Sequence, residues 1–66
     1  MKITVNGKPA AVAAGSTVQT LLEQLSLDSR QVVVERNQAI VPSQRFGEEF
    51  LTEGDTLEIV HFVGGG

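Results

Sequence analysis

The chain has 66 residues and no cysteine, so we expect one small domain whose apolar core holds together without disulfides or thiolate metal sites. Its net charge is −3, from five basic and eight acidic residues, and this balance disfavours a nucleic-acid backbone as ligand. We expect no membrane-spanning segment, because no uncharged apolar stretch approaches the length that a bilayer requires. We also expect no signal peptide, because Met1-Lys2 leads straight into alternating residues, and a cytoplasmic location follows as the default.

The first residues predict a β-hairpin. Ile3-Thr4-Val5 alternates apolar and polar side chains, and Asn6-Gly7 is a strong signal for a tight turn, since both positions tolerate positive φ. The return strand is expected over Lys8 to Ala13. Pro9 lacks a backbone N–H, so this strand is expected at an edge of the sheet.

An amphipathic helix is predicted after the hairpin. Ser16-Thr17-Val18-Gln19 resembles a capping box in which Ser16 is the N-cap and Gln19 the third helical residue. The helical spacing then places four apolar side chains on one stripe: Val18, Leu21, Leu22 and Leu25.

The second half of the chain alternates short strands and turns. Three strands are predicted: a central one at Val32–Val34, a short one at Ile40–Pro42 and a last one at Thr56–Val63. A loop at Asp28–Arg30 and a turn at Glu53–Asp55 separate them from their neighbours. Between the second and last strands, Gln44–Leu51 is predicted as a turn or short helix that covers the core through Phe46, Phe50 and Leu51. This order predicts an α+β roll, in which one main helix packs on one face of a mixed sheet of four to five strands. The β-grasp arrangement, in which the first and last strands lie parallel at the centre of the sheet, is consistent with this order of elements. Residues 1–63 would form the domain and residues 64–66 a glycine tail.

Strand periodicity predicts which face of the last strand is free for a partner. Leu57 and Ile59 share one face, and the charge of Glu58 marks the opposite face as outward. Val60 and Phe62 then also point outward and form, with Glu58, a candidate partner-binding surface. Two alternatives remain open at this point: the segment before the last strand covers these side chains, or a bulge reverses their direction.

The glycine tail, Gly64 to Gly66, follows directly after this strand. Glycine adds nothing to a core, and ordering it costs more entropy than ordering any other residue. It does offer a carboxylate on a slim tether that can enter a narrow active site. No nucleophile–base pair or metal-ligand spacing is visible elsewhere, so we expect a substrate of other enzymes and not a catalyst. The alternative is a frayed end.

Taken together, the motifs resemble the ThiS family, the sulfur carrier proteins of thiamine biosynthesis. The resemblance covers nearly the whole chain and is carried by Ile3–Gly7, Thr17-Val18 leading into Leu21–Leu25, Val34–Pro42, Gly54–Val60 and Val63–Gly66.

The resemblance implies a ubiquitin-like β-grasp fold and a carrier role. Gly66 would be the modified residue, and Gly65 and Gly64 would thread into partners. A ThiF-type adenylyltransferase would adenylate the Gly66 carboxylate with ATP and Mg²⁺. Sulfur from a cysteine desulfurase system would then replace the adenylate and give a thiocarboxylate. Thiazole synthase would take the sulfur from that thiocarboxylate. The chain itself, a monomer when alone, would bind no cofactor.

Three other interpretations remain open from the sequence. The small subunit of molybdopterin synthase is also a β-grasp carrier that ends in two glycines. A ubiquitin-like modifier would instead form isopeptide bonds with lysines. A plain interaction module would have a tail without function.

Overall fold

A computed structural model describes residues 1–62, so the predicted end of the last strand at Val63 and the glycine tail lie outside the described residues. The elements are strands β1 (Lys2–Val5) and β2 (Lys8–Ala11), helix α1 (Val18–Gln24), and strands β3 (Val32–Arg36), β4 (Ala39–Val41) and β5 (Thr56–His61). Single 3₁₀ turns lie at Ser29–Gln31 and Ser43–Arg45.

The sheet has five strands in the order β2-β1-β5-β3-β4. Strands β1 and β5 are parallel neighbours at its centre, and the other pairs are antiparallel. This topology confirms the predicted α+β class and the β-grasp arrangement. The strand that leads to the tail, β5, pairs with β3 from Leu57 to His61 and with β1 at Thr56 and Leu57.

The hairpin forms as predicted. Asn6 and Gly7 have φ values of 51° and 82°, the left-handed conformations that a two-residue turn of this kind requires. Strand β2 is an edge strand, as Pro9 indicated, but it ends at Ala11 and not at Ala13. Val12 continues the pairing without belonging to the strand, since its N–H donates to the Met1 carbonyl over 2.9 Å.

The predicted N-cap of the helix was wrong by one residue. Thr17 is the N-cap, and the third helical residue of the capping box is Thr20. The physical reason is that the Ser16 hydroxyl donates to the Ala13 carbonyl (2.7 Å), whereas Thr17 has the extended backbone of an N-cap and its hydroxyl accepts from the Thr20 N–H. Leu25, the last member of the predicted stripe, lies beyond the seven-residue helix and is exposed.

The core lies between α1 and one face of the sheet. Its most deeply buried side chains come from both layers: Ile3, Val18, Leu21, Leu22, Val34 and Leu57. The segment after β4 closes the core through Phe46 and Leu51, which confirms the predicted placement of Gln44–Leu51. Phe50, expected beside them, is instead 61% exposed, because successive side chains of an extended segment point to opposite sides and its neighbour Leu51 takes the inward one.

Candidate functional site: the open face and end of β5

Strand β5 alternates between the core and solvent as its sequence predicted. Leu57 and Ile59 are buried, while Glu58 and Val60 are exposed. Val60 retains 61% of its accessible surface and Phe62 retains 42%. The register from Val32↔His61 to Arg36↔Leu57 is continuous, so no bulge reverses β5 there. Within residues 1–62, no segment covers Val60. The outward direction of these side chains is thus established, and their role in binding a partner stays a prediction.

The outward surface is larger than the sequence indicated. Val33 lies directly opposite Val60, and Ile40 lies opposite Glu35 on the next strand pair; Val33 is 40% and Ile40 65% exposed. We call Val33, Glu35, Ile40, Glu58 and Val60 the open face. Sequence reasoning missed its β3 and β4 members because the run Val32–Val34 is apolar throughout and shows no alternation. The pairing partner of Val60 becomes visible once the register is known.

Two carboxylates oppose each other on the open face. Glu35 and Glu58 are cross-strand partners, an arrangement of like charges that disfavours folding. Neither forms an ion pair with a cation in residues 1–62. Both line a shallow depression of about 400 Å³, together with Asn37, Gln38 and Thr56. A basic side chain from a partner would relieve this repulsion, whereas residues 1–62 supply no cation to either carboxylate.

Phe62 lies at the rim between the open face and the end of the core. Its N–H donates to the Gln31 carbonyl over 2.9 Å, which continues the pairing of β5 with the chain before β3. Its ring borders a groove of about 300 Å³ beside Val32, Pro42 and Phe46. An apolar side chain of a partner could therefore contact Phe62 and this groove together.

The start of β5 is fixed by a polar cluster around Asp55. The Asp55 carboxylate accepts from Arg36 Nε (2.9 Å), Asn37 Nδ2 (3.1 Å) and the Thr52 N–H (2.8 Å). Arg36 also donates to Glu49 over 2.9 Å. Burial acts to raise the pKa of Asp55, but these hydrogen bonds outweigh it and hold the pKa below its usual 3.8. The cluster joins β3 to the turn that begins β5 and so positions the open face.

Three residues of this cluster belong to stretches that carried the family resemblance. Arg36 and Asn37 lie in Val34–Pro42, and Asp55 lies in Gly54–Val60. Gly54 has a φ of 85°, a turn conformation that favours glycine, and Asp55 follows it at the cluster. Sequence reasoning placed a turn there but not the ion pair, because Arg36 and Asp55 are 19 residues apart and no local pattern joins them.

Residues 1–62 contain neither a cluster of metal ligands nor a membrane-spanning helix. No three histidine or carboxylate side chains there converge to hold an ion. No helix in that part of the chain is long and apolar enough to cross a bilayer.

Comparison with known proteins identifies the family. The model of the ThiS family matches residues 3–66. A thiazole synthase from Paramagnetospirillum magneticum is 47% identical over the whole chain, although the chain spans only 20% of that protein's length. The sulfur carrier protein ThiS of Bacillus subtilis is 48% identical over 50 residues, which is 76% of each protein.

A solved structure has the same fold. The crystal structure of the thiamine biosynthesis protein ThiS from Geobacter metallireducens superposes with a TM-score of 0.85 at 36% identity, with both chains fully covered. The five-stranded sheet, the single main helix and the sequence similarity therefore lead to the same assignment. This chain belongs to the ThiS family, the sulfur carrier proteins of thiamine biosynthesis.

Proposed function

We propose that this chain carries sulfur as a thiocarboxylate on Gly66 and delivers it to thiazole formation. The observation that carries this proposal is the match to the family model, which runs through residue 66 and so includes the terminal glycines. The chain acts as a co-substrate of two enzymes and performs no catalysis itself. The proposed location is the cytoplasm, where ATP is available.

The chemistry needs two steps at the terminal carbon. A carboxylate oxygen of Gly66 attacks the α-phosphorus of ATP, and pyrophosphate leaves, which gives an acyl-adenylate. A sulfide-level sulfur atom that originates from cysteine then attacks the acyl carbon, and AMP leaves. Adenylation is required because a carboxylate has no usable leaving group. A glycine acyl carbon suits the second step because no side chain hinders the incoming sulfur.

The adenylating enzyme, of the ThiF type, supplies ATP and Mg²⁺ in this proposal. A cysteine desulfurase system supplies the sulfur as an enzyme-bound persulfide, and a thiol reductant, itself oxidised to a disulfide, releases that sulfur at the sulfide level. A thiazole synthase then receives the sulfur from the thiocarboxylate. The sequence of the thiazole synthase from Paramagnetospirillum magneticum supports the last partner. A segment of about a fifth of that protein matches this whole chain, so a carrier-like sequence and a thiazole synthase occur in one polypeptide.

The open face supplies the affinity that the tail lacks. Ordering three glycines inside a channel costs roughly 3–6 kcal/mol, at about 1–2 kcal/mol per residue, and glycine makes few contacts that offset this cost. Val60, Val33 and Ile40 offer apolar contact area, and Phe62 extends it toward the tail. Glu58 and Glu35 favour a partner surface that carries a basic residue opposite them.

ATP–pyrophosphate exchange with the purified adenylating enzyme tests this function. We expect exchange that depends on added chain, and no exchange with a chain shortened by Gly66 alone. The shortened chain is a matched control, because the removed residue contributes nothing to the described core. Equal exchange with the shortened chain would contradict the proposal.

A further inference from the structure

The end of β5 has one paired edge and one bare edge. Backbone N–H and C=O groups of successive strand residues point to opposite sides. On the β3 side, the Phe62 N–H donates to Gln31 and the Asn37 N–H donates to the Thr56 carbonyl. The even-numbered residues of β5 therefore bond toward β3, and the odd-numbered residues bond toward β1.

The β1 side of β5 runs out of partners before the strand ends. The Leu57 carbonyl accepts from the Asn6 N–H, and β1 then turns away at Asn6-Gly7. The Asn6 side chain takes the place of one more strand residue: its Oδ1 accepts from the Ile59 N–H (2.7 Å) and its Nδ2 donates to the Ile59 carbonyl (3.1 Å). His61 is next on this edge. Within residues 1–62 its N–H and C=O have no hydrogen-bond partner, and the residue is exposed.

The outer strands of the sheet are better protected. On β2, Pro9 has no N–H, and the Ala11 carbonyl accepts from Gln24 Nε2 over 3.2 Å. Strand β4 is three residues long and is followed by Pro42. The bare position at His61 differs from these edges because the chain continues from it toward Gly66.

We propose that His61 pairs through its backbone with an extended segment of the enzyme that activates Gly66. This inference rests on the proposed function, because that function requires the enzyme to reach the Gly66 carboxyl group. Four residues follow Phe62, and a fully extended chain spans about 3.3–3.6 Å per residue, so the reacting carbon lies within about 14 Å of Phe62. The wall of the enzyme around its channel must then cover the end of β5.

Covering His61 leaves its backbone groups without water. A donor or acceptor that is buried without a partner costs free energy, so the enzyme surface has to supply an acceptor for the N–H and a donor for the C=O. An extended backbone segment supplies both at the required spacing, as in other cases of strand addition to a sheet edge. Such pairing fixes the direction in which the chain leaves the domain, and it does not depend on the imidazole.

Amide hydrogen exchange, followed by NMR, tests the pairing in the wild-type chain. In the free chain we expect fast exchange at His61 and slow exchange at Phe62, whose N–H is already bonded. On addition of the adenylating enzyme, exchange at His61 should slow by tenfold or more, while the amide of Gly15, an exposed turn residue before α1 and outside the open face, stays fast. Unchanged exchange at His61 in the complex would overturn the proposal.

Proline and alanine at position 61 separate the backbone from the side chain. His61→Pro removes a backbone N–H that points to the bare edge of β5 and has no hydrogen-bond partner in residues 1–62. The fold should therefore tolerate this substitution. We expect it to raise the Kd for the enzyme by about 5- to 30-fold, the factor that corresponds to loss of one hydrogen bond. His61→Ala keeps the N–H and should bind like the wild type.

Equal binding of the two variants would overturn the pairing alone, provided that the enzyme still adenylates the wild-type chain. A wild-type chain that the enzyme does not adenylate would instead contradict the proposed function. Should His61→Pro fail to fold, the hydrogen-exchange measurement on the wild type decides the pairing without it.

Discussion

Asp55 is the residue that ties the polar cluster together. Its side chain is 8% exposed and is bonded to Arg36, Asn37 and the Thr52 backbone. Removing it leaves the Arg36 guanidinium with one carboxylate partner, Glu49, in a half-buried position. Loss of Asp55 therefore removes three hydrogen bonds of the cluster at once.

We expect Asp55→Ala to lower the free energy of unfolding by about 2–4 kcal/mol, because it leaves partly buried donors unpaired. Urea unfolding followed by circular dichroism measures this change. Asp28→Ala is the matched control. Asp28 also accepts from an arginine, Arg30, but that arginine is 87% exposed, so the change should be much smaller. A loss for Asp28→Ala as large as that for Asp55→Ala would contradict this account of the cluster.

Acidification should act through the same carboxylate. The pKa of Asp55 is held below its ordinary value of 3.8, so the stabilisation is complete above about pH 4 and is lost as the pH falls through the lowered pKa. The pKa of Asp28 is lowered to about 2, chiefly by its hydrogen bonds from Arg30, and adds a smaller loss in the same direction. Melting temperatures between neutral pH and pH 2 should fall more steeply for the wild type than for Asp55→Ala. Parallel curves would show that Asp55 does not cause the acid sensitivity.

At the scale of elements, β5 has two faces with different tasks. Ile59 and Val60 are neighbours in sequence, yet Ile59 is 7% exposed in the core and Val60 is 61% exposed on the open face. The same substitution should therefore affect stability when it is made at Ile59 and partner binding when it is made at Val60.

We expect Val60→Asp to change the free energy of unfolding by less than about 1 kcal/mol and to raise the Kd for the adenylating enzyme tenfold or more. Its new charge lies near Glu58 and replaces apolar contact area. Ile59→Asp buries an unpaired charge and should prevent folding. Thermal melts and titration calorimetry measure both effects. Tight binding by a folded Val60→Asp chain would remove the open face from the interface.

The elements that the sequence predicted correctly are those with a local cause. Asn6-Gly7 specifies its turn by backbone conformation, and the alternation from Leu57 to Val60 follows from strand periodicity alone. The helix cap was wrong because Ser16 and Thr17 are both suitable caps, and a hydrogen bond to Ala13 decides between them. Val33 and Ile40 were missed because their exposure depends on which strands pair. The ion pair of Arg36 and Asp55 likewise depends on contacts between distant parts of the chain.

At the scale of the molecule, one face of the sheet holds the core and the other is open. The helix and the segment after β4 cover the first face, and in residues 1–62 nothing covers Val60, Ile40 or Val33 on the second. The central strand β5 connects this open face directly to the chain that leads to Gly66. The arrangement suits a carrier, because docking of a rigid surface brings a short tether to a fixed distance from an enzyme's active site.

The mass of the intact chain, before and after incubation with ATP, Mg²⁺, the ThiF-type enzyme and a sulfide source, tests the carrier function most directly. We predict replacement of one oxygen by one sulfur, located at Gly66 by fragmentation, with one AMP and one pyrophosphate formed for each chain converted. A chain that remains a carboxylate while the enzyme converts another carrier in the same mixture would contradict the account, as would sulfur bound at any other residue.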